Sequence, residues 1–95
     1  MEVRFEWDTT KAAANLRKHD VSFDEAATVF QDTLAVIFED KVHSSGEPRE
    51  IIIGQGVTNR LLLVCFTERR GSIRIISTRR PTNQEREDYE EYHSY

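Results

Sequence analysis

The chain has 95 residues, of which 32% are charged and 38% hydrophobic, and its formal net charge is −4. This balance predicts one globular domain over residues 1–95, with a single modest core. No stretch reaches the roughly 20 apolar residues of a membrane span, and the single cysteine, Cys65, excludes an internal disulfide. The N-terminus lacks a signal-peptide pattern, so we expect a cytoplasmic protein without membrane contacts.

The predicted elements begin with a short strand over residues 2–7, where apolar and charged side chains alternate. A cap at Asp8, Thr9 or Thr10 then predicts a helix that ends near residues 17–18. Its buried stripe is expected to comprise Ala12, Ala13 and Leu16, and its exposed or bordering positions Lys11, Asn15, Lys18 and His19.

A second helix is predicted by Ser22 and Glu25, which have the spacing of a capping box. The helix should end near residues 31–32. Its apolar side is expected to comprise Phe23, Ala26, Ala27 and Phe30.

The second half of the chain is rich in β-branched and other apolar residues, which favour strands. The predicted strands cover residues 34–39, 50–55, 60–67 and 73–80. Their links have hairpin length apart from the polar loop 40–48, which predicts an antiparallel meander. Thr82 and Glu85 then form a second capping-box pattern that opens a helix, Asn83–Tyr92. We therefore predict a small α+β domain of order β-α-α-β-β-β-β-α with an antiparallel sheet.

The last predicted strand carries three arginines. Arg74 lies inside the apolar run of residues 73–76, and Arg79 and Arg80 close the strand. In a regular strand, Arg74 and Arg80 share one face and Arg79 lies on the other. A guanidinium drawn toward the interior requires a carboxylate, a polar rim or a phosphate, because its burial without a partner is costly.

Charge is segregated along the second half of the chain. Residues 60–80 contain six arginines and one acidic residue, whereas residues 81–95 contain five acidic residues and one arginine. Arginines on a sheet face can hold the phosphates of a nucleic-acid strand, or they can form surface ion pairs with the acidic last helix. On residue types alone, both interpretations stay open. A further hypothesis is that the acidic helix shields the basic sheet.

The three histidines, His19, His43 and His93, lack the spacing of metal ligands, so we expect no metal and no other cofactor. His43 lies in the polar loop between two strands and is a candidate for proton transfer. His19 ends a helix, where a favourable cation against the helix dipole explains it better than catalysis does.

Several sequence blocks resemble the BrnT toxin family. They are Phe5-Glu6-Trp7-Asp8, Lys18-His19-Asp20-Val21-Ser22-Phe23-Asp24-Glu25-Ala26 and Arg74-Ile75-Ile76-Ser77-Thr78-Arg79, with Lys11, Asn15, Val29-Phe30, Asp40, His43, Arg49 and Ile53-Gly54 between them. The resemblance runs from about Phe5 to Tyr89. Asp20 stands where the family has a glycine, and Thr78 where it has an alanine.

The resemblance implies a RelE-like fold and a type II toxin that cleaves RNA without a metal and inhibits translation. It also implies a BrnA-like antitoxin with a ribbon-helix-helix DNA-binding domain. The toxin would then contact operator DNA only through the toxin–antitoxin complex, which would repress its own operon.

A metal-independent ribonuclease needs cations at the phosphate, a base for the 2′-OH proton and an acid for the leaving oxygen. The candidate catalytic residues are therefore Arg74, Arg79, His43, His19 and Lys18, and the candidate substrate-binding residues are Arg69, Thr67, Ser77 and Arg80. The first choice for the acid or base is His43, and the second is His19 with Lys18. Thr67 and Ser77 offer hydroxyl groups to the phosphate or to a base.

Two alternatives to an active toxin stay open. The first is a non-catalytic adaptor whose arginines bind a nucleic acid or an acidic protein. The second is a degenerate toxin that acts only as a co-repressor with its antitoxin. Cleavage of RNA by the purified protein would separate the toxin from both.

Overall fold

The computed structural model describes residues 3–41 and 46–94. Its strands are β1 (Arg4–Glu6), β2 (Val36–Glu39), β3 (Glu50–Gln55), β4 (Leu61–Arg69) and β5 (Ser72–Arg79). They form one sheet with the order β1-β5-β4-β3-β2. Strands β2 to β5 make the predicted antiparallel meander, and β1 joins β5 in parallel. The α+β class and the order of the elements are confirmed.

Three α-helices flank the sheet: α1 (Thr9–His19), α2 (Phe23–Thr28) and α3 (Asn83–Tyr92). Asp8, Ser22 and Thr82 cap them by accepting a hydrogen bond from a backbone N–H three residues on. A single 3₁₀ turn extends α2 to Gln31, close to the predicted end. Helices α1 and α2 pack on one face of the sheet, and α3 lies on the other. None of these helices is long and apolar enough to cross a membrane.

The main core lies between the sheet and α1 and α2. Val21, Phe23, Ala26 and Val29 meet Ile52, Leu62, Val64, Phe66 and Ile75 of the sheet. The rings of Phe30 and Phe66 stack edge to face at 4.9 Å, and Trp7 meets Phe23 in the same way at 5.9 Å. These contacts confirm the predicted apolar side of the second helix.

The buried stripe predicted for α1 is wrong at two positions. Ala13 and Leu16 are exposed, whereas the polar residue Asn15 is buried. The Asn15 amide donates to the carbonyl groups of Val21 and Thr78, and its oxygen accepts from the Thr78 N–H. It therefore serves as a strand partner for β5 beyond the end of β1, which explains why a polar side chain faces inward here.

The opposite face of the sheet has a smaller apolar cluster of Ile53, Leu61 and Leu63, against which Tyr89 of α3 packs. No residue of α3 is fully buried, so this helix covers its face only in part. The β4–β5 hairpin turns at Arg70 and Gly71, which both have positive φ angles, 48° and 83°. This pair of angles is typical of a tight hairpin, and it leaves the predicted turn residues Glu68 and Arg69 within β4.

Candidate functional site

An irregularity in β5 decides which arginines share a face. Cys65 of β4 pairs with Ser77, whereas the next residue, Phe66, pairs with Ile75, so Ile76 lies opposite no β4 residue. Such a β-bulge adds one residue to a strand and changes the face on which the following side chains lie. Because Ile76 has no β4 partner, Arg74 and Arg79 are four alternating strand positions apart, which puts their side chains on the same side.

The register places Arg74 and Arg79 on the same face. Arg79 lies opposite Leu63 and Arg74 opposite Thr67, and these two β4 residues share a face because they are four residues apart. A regular strand would have placed Arg74 with Arg80, and the bulge at Ile76 is the irregularity that brings Arg74 and Arg79 to one face instead. Arg80 follows the end of β5 and is exposed.

Five of the predicted site residues come together on the sheet face that carries α3. We call this surface the arginine face, and it comprises Thr67, Arg69, Arg74, Ser77 and Arg79. The arginine face lies next to the apolar cluster of Ile53, Leu61 and Leu63, because all of these side chains project from the same side of the sheet. The main core lies behind it and holds the strands in position.

Each of the three arginines on this face has a carboxylate partner. Arg69 forms two hydrogen bonds with Glu47, at 2.7 and 2.9 Å, and Arg79 forms two with Glu85, at 2.7 and 3.0 Å. Arg74 lies 3.8 Å from Glu6, its neighbour on the parallel strand β1. Of these three arginines, only Arg79 pairs with the acidic last helix as the sequence suggested, whereas the partners of Arg69 and Arg74 come from earlier in the chain. Any phosphate must compete with these carboxylates.

The ion pairs shift the pKa values of the acidic partners. The Arg69 guanidinium holds the pKa of Glu47 below its usual range. The Arg79 guanidinium, aided by the Thr82 backbone N–H, lowers the pKa of Glu85 from 4.5 to about 2. Both glutamates are thus ionised at neutral pH and oppose the positive charge of the arginines.

A cleft of about 690 Å³ lies at the hairpin end of this face. Its walls include Glu6 and Glu47 together with Arg69, Arg70 and Ser72. Glu6, Glu47 and Glu85 were missed as site residues from the sequence. Glu6 reaches Arg74 only through the parallel pairing of β1 with β5, and such long-range pairing has no local sequence signal. The sequence predicted the capping box that contains Glu85, but it did not predict that Glu85 also bonds Arg79.

The hydroxyl groups of the arginine face have different surroundings. Thr67 is buried, and its hydroxyl donates to the Pro48 carbonyl at 2.6 Å. This bond, together with the Glu47–Arg69 ion pair, fastens the segment that precedes β3 to the arginine face. Ser77 is half-buried opposite Cys65.

The fold does not bring Lys18 and His19 to the arginine face. They end α1, whose packed residue Ala12 belongs to the main core on the other side of the sheet. His43 lies outside the described residues. The residues that follow it, Glu47 and Pro48, contact Arg69 and Thr67. Within residues 3–41 and 46–94, no three histidine, cysteine or acidic side chains are grouped so that they could hold a metal ion.

Comparison with known proteins identifies the family. The sequence matches the family model of the ribonuclease toxin BrnT of type II toxin-antitoxin systems over residues 7–85. The chain is also similar to the 1.1 Å crystal structure of the Brucella abortus ribonuclease toxin BrnT, with a TM-score of 0.65 and 20% identity over 86% of this chain and 100% of that chain. No curated protein matches the sequence. The structural likeness shows the fold. The family match shows that the chain belongs to the BrnT ribonuclease toxins of type II toxin-antitoxin systems.

Proposed function

We propose that this chain is a metal-independent endoribonuclease that cleaves RNA in the cytoplasm, inhibits translation and uses the arginine face as its active site. The observation that carries this proposal is the β-bulge at Ile76, which puts Arg74 and Arg79 on one face. Two guanidinium groups on one face suit a phosphate that gains negative charge during the reaction. Arg69 lies further along β4 and suits a neighbouring phosphate of the same strand.

The proposed reaction is attack of the ribose 2′-OH on the adjacent phosphorus atom. A base takes the 2′-OH proton, the bond from phosphorus to the 5′-oxygen breaks, and an acid protonates that oxygen. The products are a 2′,3′-cyclic phosphate and a 5′-OH end. Glu6 suits the base because its carboxylate lies beside Arg74. We propose His43 as the acid on the sequence alone, because histidine is the usual proton-transfer group near neutral pH.

The purified chain should therefore cleave RNA in the presence of EDTA and leave 2′,3′-cyclic phosphate ends. Mass spectrometry of the cleaved oligonucleotides checks the chemistry of those ends. A substrate with 2′-deoxyribose at the cleaved position should resist cleavage because it lacks the attacking hydroxyl. Cleavage of that substrate, or complete inhibition by EDTA, would contradict the proposed mechanism.

Replacement of the paired arginines tests the active site. Arg74→Ala and Arg79→Ala should each lower kcat for RNA cleavage by about 100- to 1,000-fold, because each removes a cation from the developing charge. Arg17→Ala, which removes an exposed arginine of α1, is the matched control and should cleave normally. Wild-type cleavage and growth arrest by both variants, at equal protein levels, would show that the site lies elsewhere.

We also propose that the neutralising partner is a BrnA-like antitoxin with a ribbon-helix-helix domain, and that the complex represses its own operon. Membership of a type II toxin-antitoxin family supports an antitoxin partner in general. A short reading frame beside the gene, encoding a ribbon-helix-helix protein, should restore growth when co-expressed. The complex, but not the toxin alone, should shift operator DNA in a gel. Operator binding by a complex whose toxin never cleaves RNA would instead indicate a degenerate toxin.

A further inference from the structure

A second concave site lies beside the arginine face, where α3 crosses the end of the sheet. It is a pocket of about 320 Å³, formed between the β3–β4 turn, the residue that follows β5 and one side of α3. We call it the terminal pocket, and the lining residues that matter here are Arg60, Arg80, Arg86, Tyr89 and Glu90. Three of the eight described lining residues are arginines, and one is acidic.

The arginines of the terminal pocket differ in their ion pairing. Arg60 is neutralised by Glu25, to which it makes two hydrogen bonds of 2.6 and 2.8 Å. Among the residues that the structure describes, neither Arg80 nor Arg86 forms an ion pair, although the charge of Arg80 also acts on Glu25 at longer range and Glu90 lies on the same wall. This contrasts with Arg69, Arg74 and Arg79, which all have carboxylate partners. Two unpaired guanidiniums at one concave site favour an anionic ligand.

Tyr89 adds an aromatic surface to the pocket. It lies three residues after Arg86 on α3, so the two side chains share one side of the helix. The ring packs against the small apolar cluster and meets the His93 ring edge to face at 4.6 Å, and these contacts fix its position. Burial raises the pKa of the Tyr89 phenol, so the hydroxyl stays protonated at neutral pH and can donate a hydrogen bond. A ring of this kind offers a stacking platform for a nucleobase.

We propose that the terminal pocket is a nucleotide subsite that binds the RNA strand next to the cleaved bond, with a phosphate held by Arg80 and Arg86 and a base stacked on Tyr89. This inference rests on the proposed function and extends the active site past Arg79. Arg79 and Arg80 are consecutive, with Cα atoms about 3.8 Å apart, so one RNA strand can contact both. The tyrosine ring favours a nucleic acid over an acidic peptide, because a nucleobase stacks on an aromatic ring and a peptide carboxylate does not.

The test measures affinity for an RNA oligonucleotide made resistant to cleavage by 2′-deoxyribose substitution at the cleaved position. Fluorescence anisotropy gives the Kd of the wild type and of the double variant Arg80→Ala/Arg86→Ala over a range of KCl concentrations. The variant should bind about tenfold or more weakly at low salt. Loss of this phosphate contact should also reduce the slope of log K against log salt by about 0.7. A merely structural role for the two arginines would not change that slope.

The matched control is Lys11→Ala/Arg17→Ala, which removes the same charge from exposed positions of α1 and should keep the wild-type slope. Tyr89→Phe should bind RNA like the wild type to within a few fold, whereas Tyr89→Leu should bind about tenfold more weakly, because only leucine removes the stacking ring. Circular dichroism of each variant checks that it is folded.

The outcomes separate this inference from the proposed function. Wild-type affinity and slope in the folded Arg80→Ala/Arg86→Ala variant would overturn the nucleotide subsite. The same holds if that variant binds RNA normally but no longer binds the antitoxin, since the pocket would then be a protein-binding site. If the wild type binds RNA through these arginines but never cleaves it, the subsite stands and the proposed catalysis fails.

Discussion

At the scale of single residues, Asn15 links the packing of a helix to the position of the arginines. Its amide bonds both the N–H and the carbonyl of Thr78, the residue before Arg79. Asn15→Ala should lower the free energy of unfolding by about 2–4 kcal/mol, because it leaves these buried backbone groups without partners. Urea unfolding measures the loss, and Asn83→Ala on the exposed start of α3 is the control, with little change expected. Equal stability of both variants would mean that water replaces the Asn15 bonds.

Asp20 has a backbone conformation that is sterically unfavourable for any residue with a Cβ atom. It ends α1 in the left-handed conformation, with φ of 57° and ψ of 35°, where glycine carries no steric penalty. In the BrnT sequences that this chain resembles, a glycine stands at this position. Asp20→Gly should therefore raise the free energy of unfolding by about 0.5–1 kcal/mol. Asp24→Gly, inside α2, should lower it by a similar amount, and a loss of stability in Asp20→Gly would argue that the aspartate side chain itself is needed.

At the scale of elements, local signals predicted some boundaries and missed others. The bounds of β3 and α3 were predicted correctly, because turn residues and a capping box mark their ends in the sequence itself. The bulge at Ile76 could not be predicted, since it arises from the register between β4 and β5. The pairing of β1 with β5, which carries Glu6 to Arg74, joins segments about 70 residues apart. The arginines could thus be nominated from the sequence, but their carboxylate partners could not.

Helix α3 is held to the sheet by an ion pair whose strength should depend on pH. The pKa of Glu85 lies at about 2 in the folded chain and at 4.5 ordinarily. A lowered folded-state pKa stabilises the protein above pH 4.5, and this contribution is lost as the pH falls from about 4.5 to about 2. Since the side chains of Arg79 and Glu85 are 37% and 29% exposed, solvent screening limits the contribution to about 1–2 kcal/mol.

Glu85→Gln tests this contribution, because glutamine can still complete the capping box with Thr82. At pH 7 the variant should be less stable than the wild type by about 1–2 kcal/mol in urea unfolding. The difference should shrink as the pH falls below about 4.5 and should vanish near pH 2. A difference that stays constant over this range would assign the loss to packing and not to the charge.

At the scale of the whole molecule, the net charge of −4 hides an arrangement of opposite charges. The three arginines of the arginine face are opposed by Glu6, Glu47 and Glu85, which come from three separate parts of the chain. The hypothesis that the acidic helix shields the basic sheet can therefore be assigned to one residue of α3, because Glu85 pairs with Arg79. The same helix supplies Arg86 and Tyr89 to the terminal pocket. Deletion of residues 82–95 would remove both effects at once and is therefore a poor test of shielding.

Glu85→Gln is the sharper test of shielding, because it releases Arg79 and keeps Arg86, Tyr89 and the helix cap. If Arg79 binds a phosphate, the variant should bind cleavage-resistant RNA about three- to tenfold more tightly at low salt, since RNA no longer competes with a carboxylate. The gain should be absent in the Arg79→Ala background, where Glu85 has no cation to neutralise. Glu87→Gln, which removes the same charge from an exposed α3 position, is the control for the overall field. An equal gain in Glu87→Gln would attribute the effect to net charge, and no gain in Glu85→Gln would remove Arg79 from the RNA-binding surface.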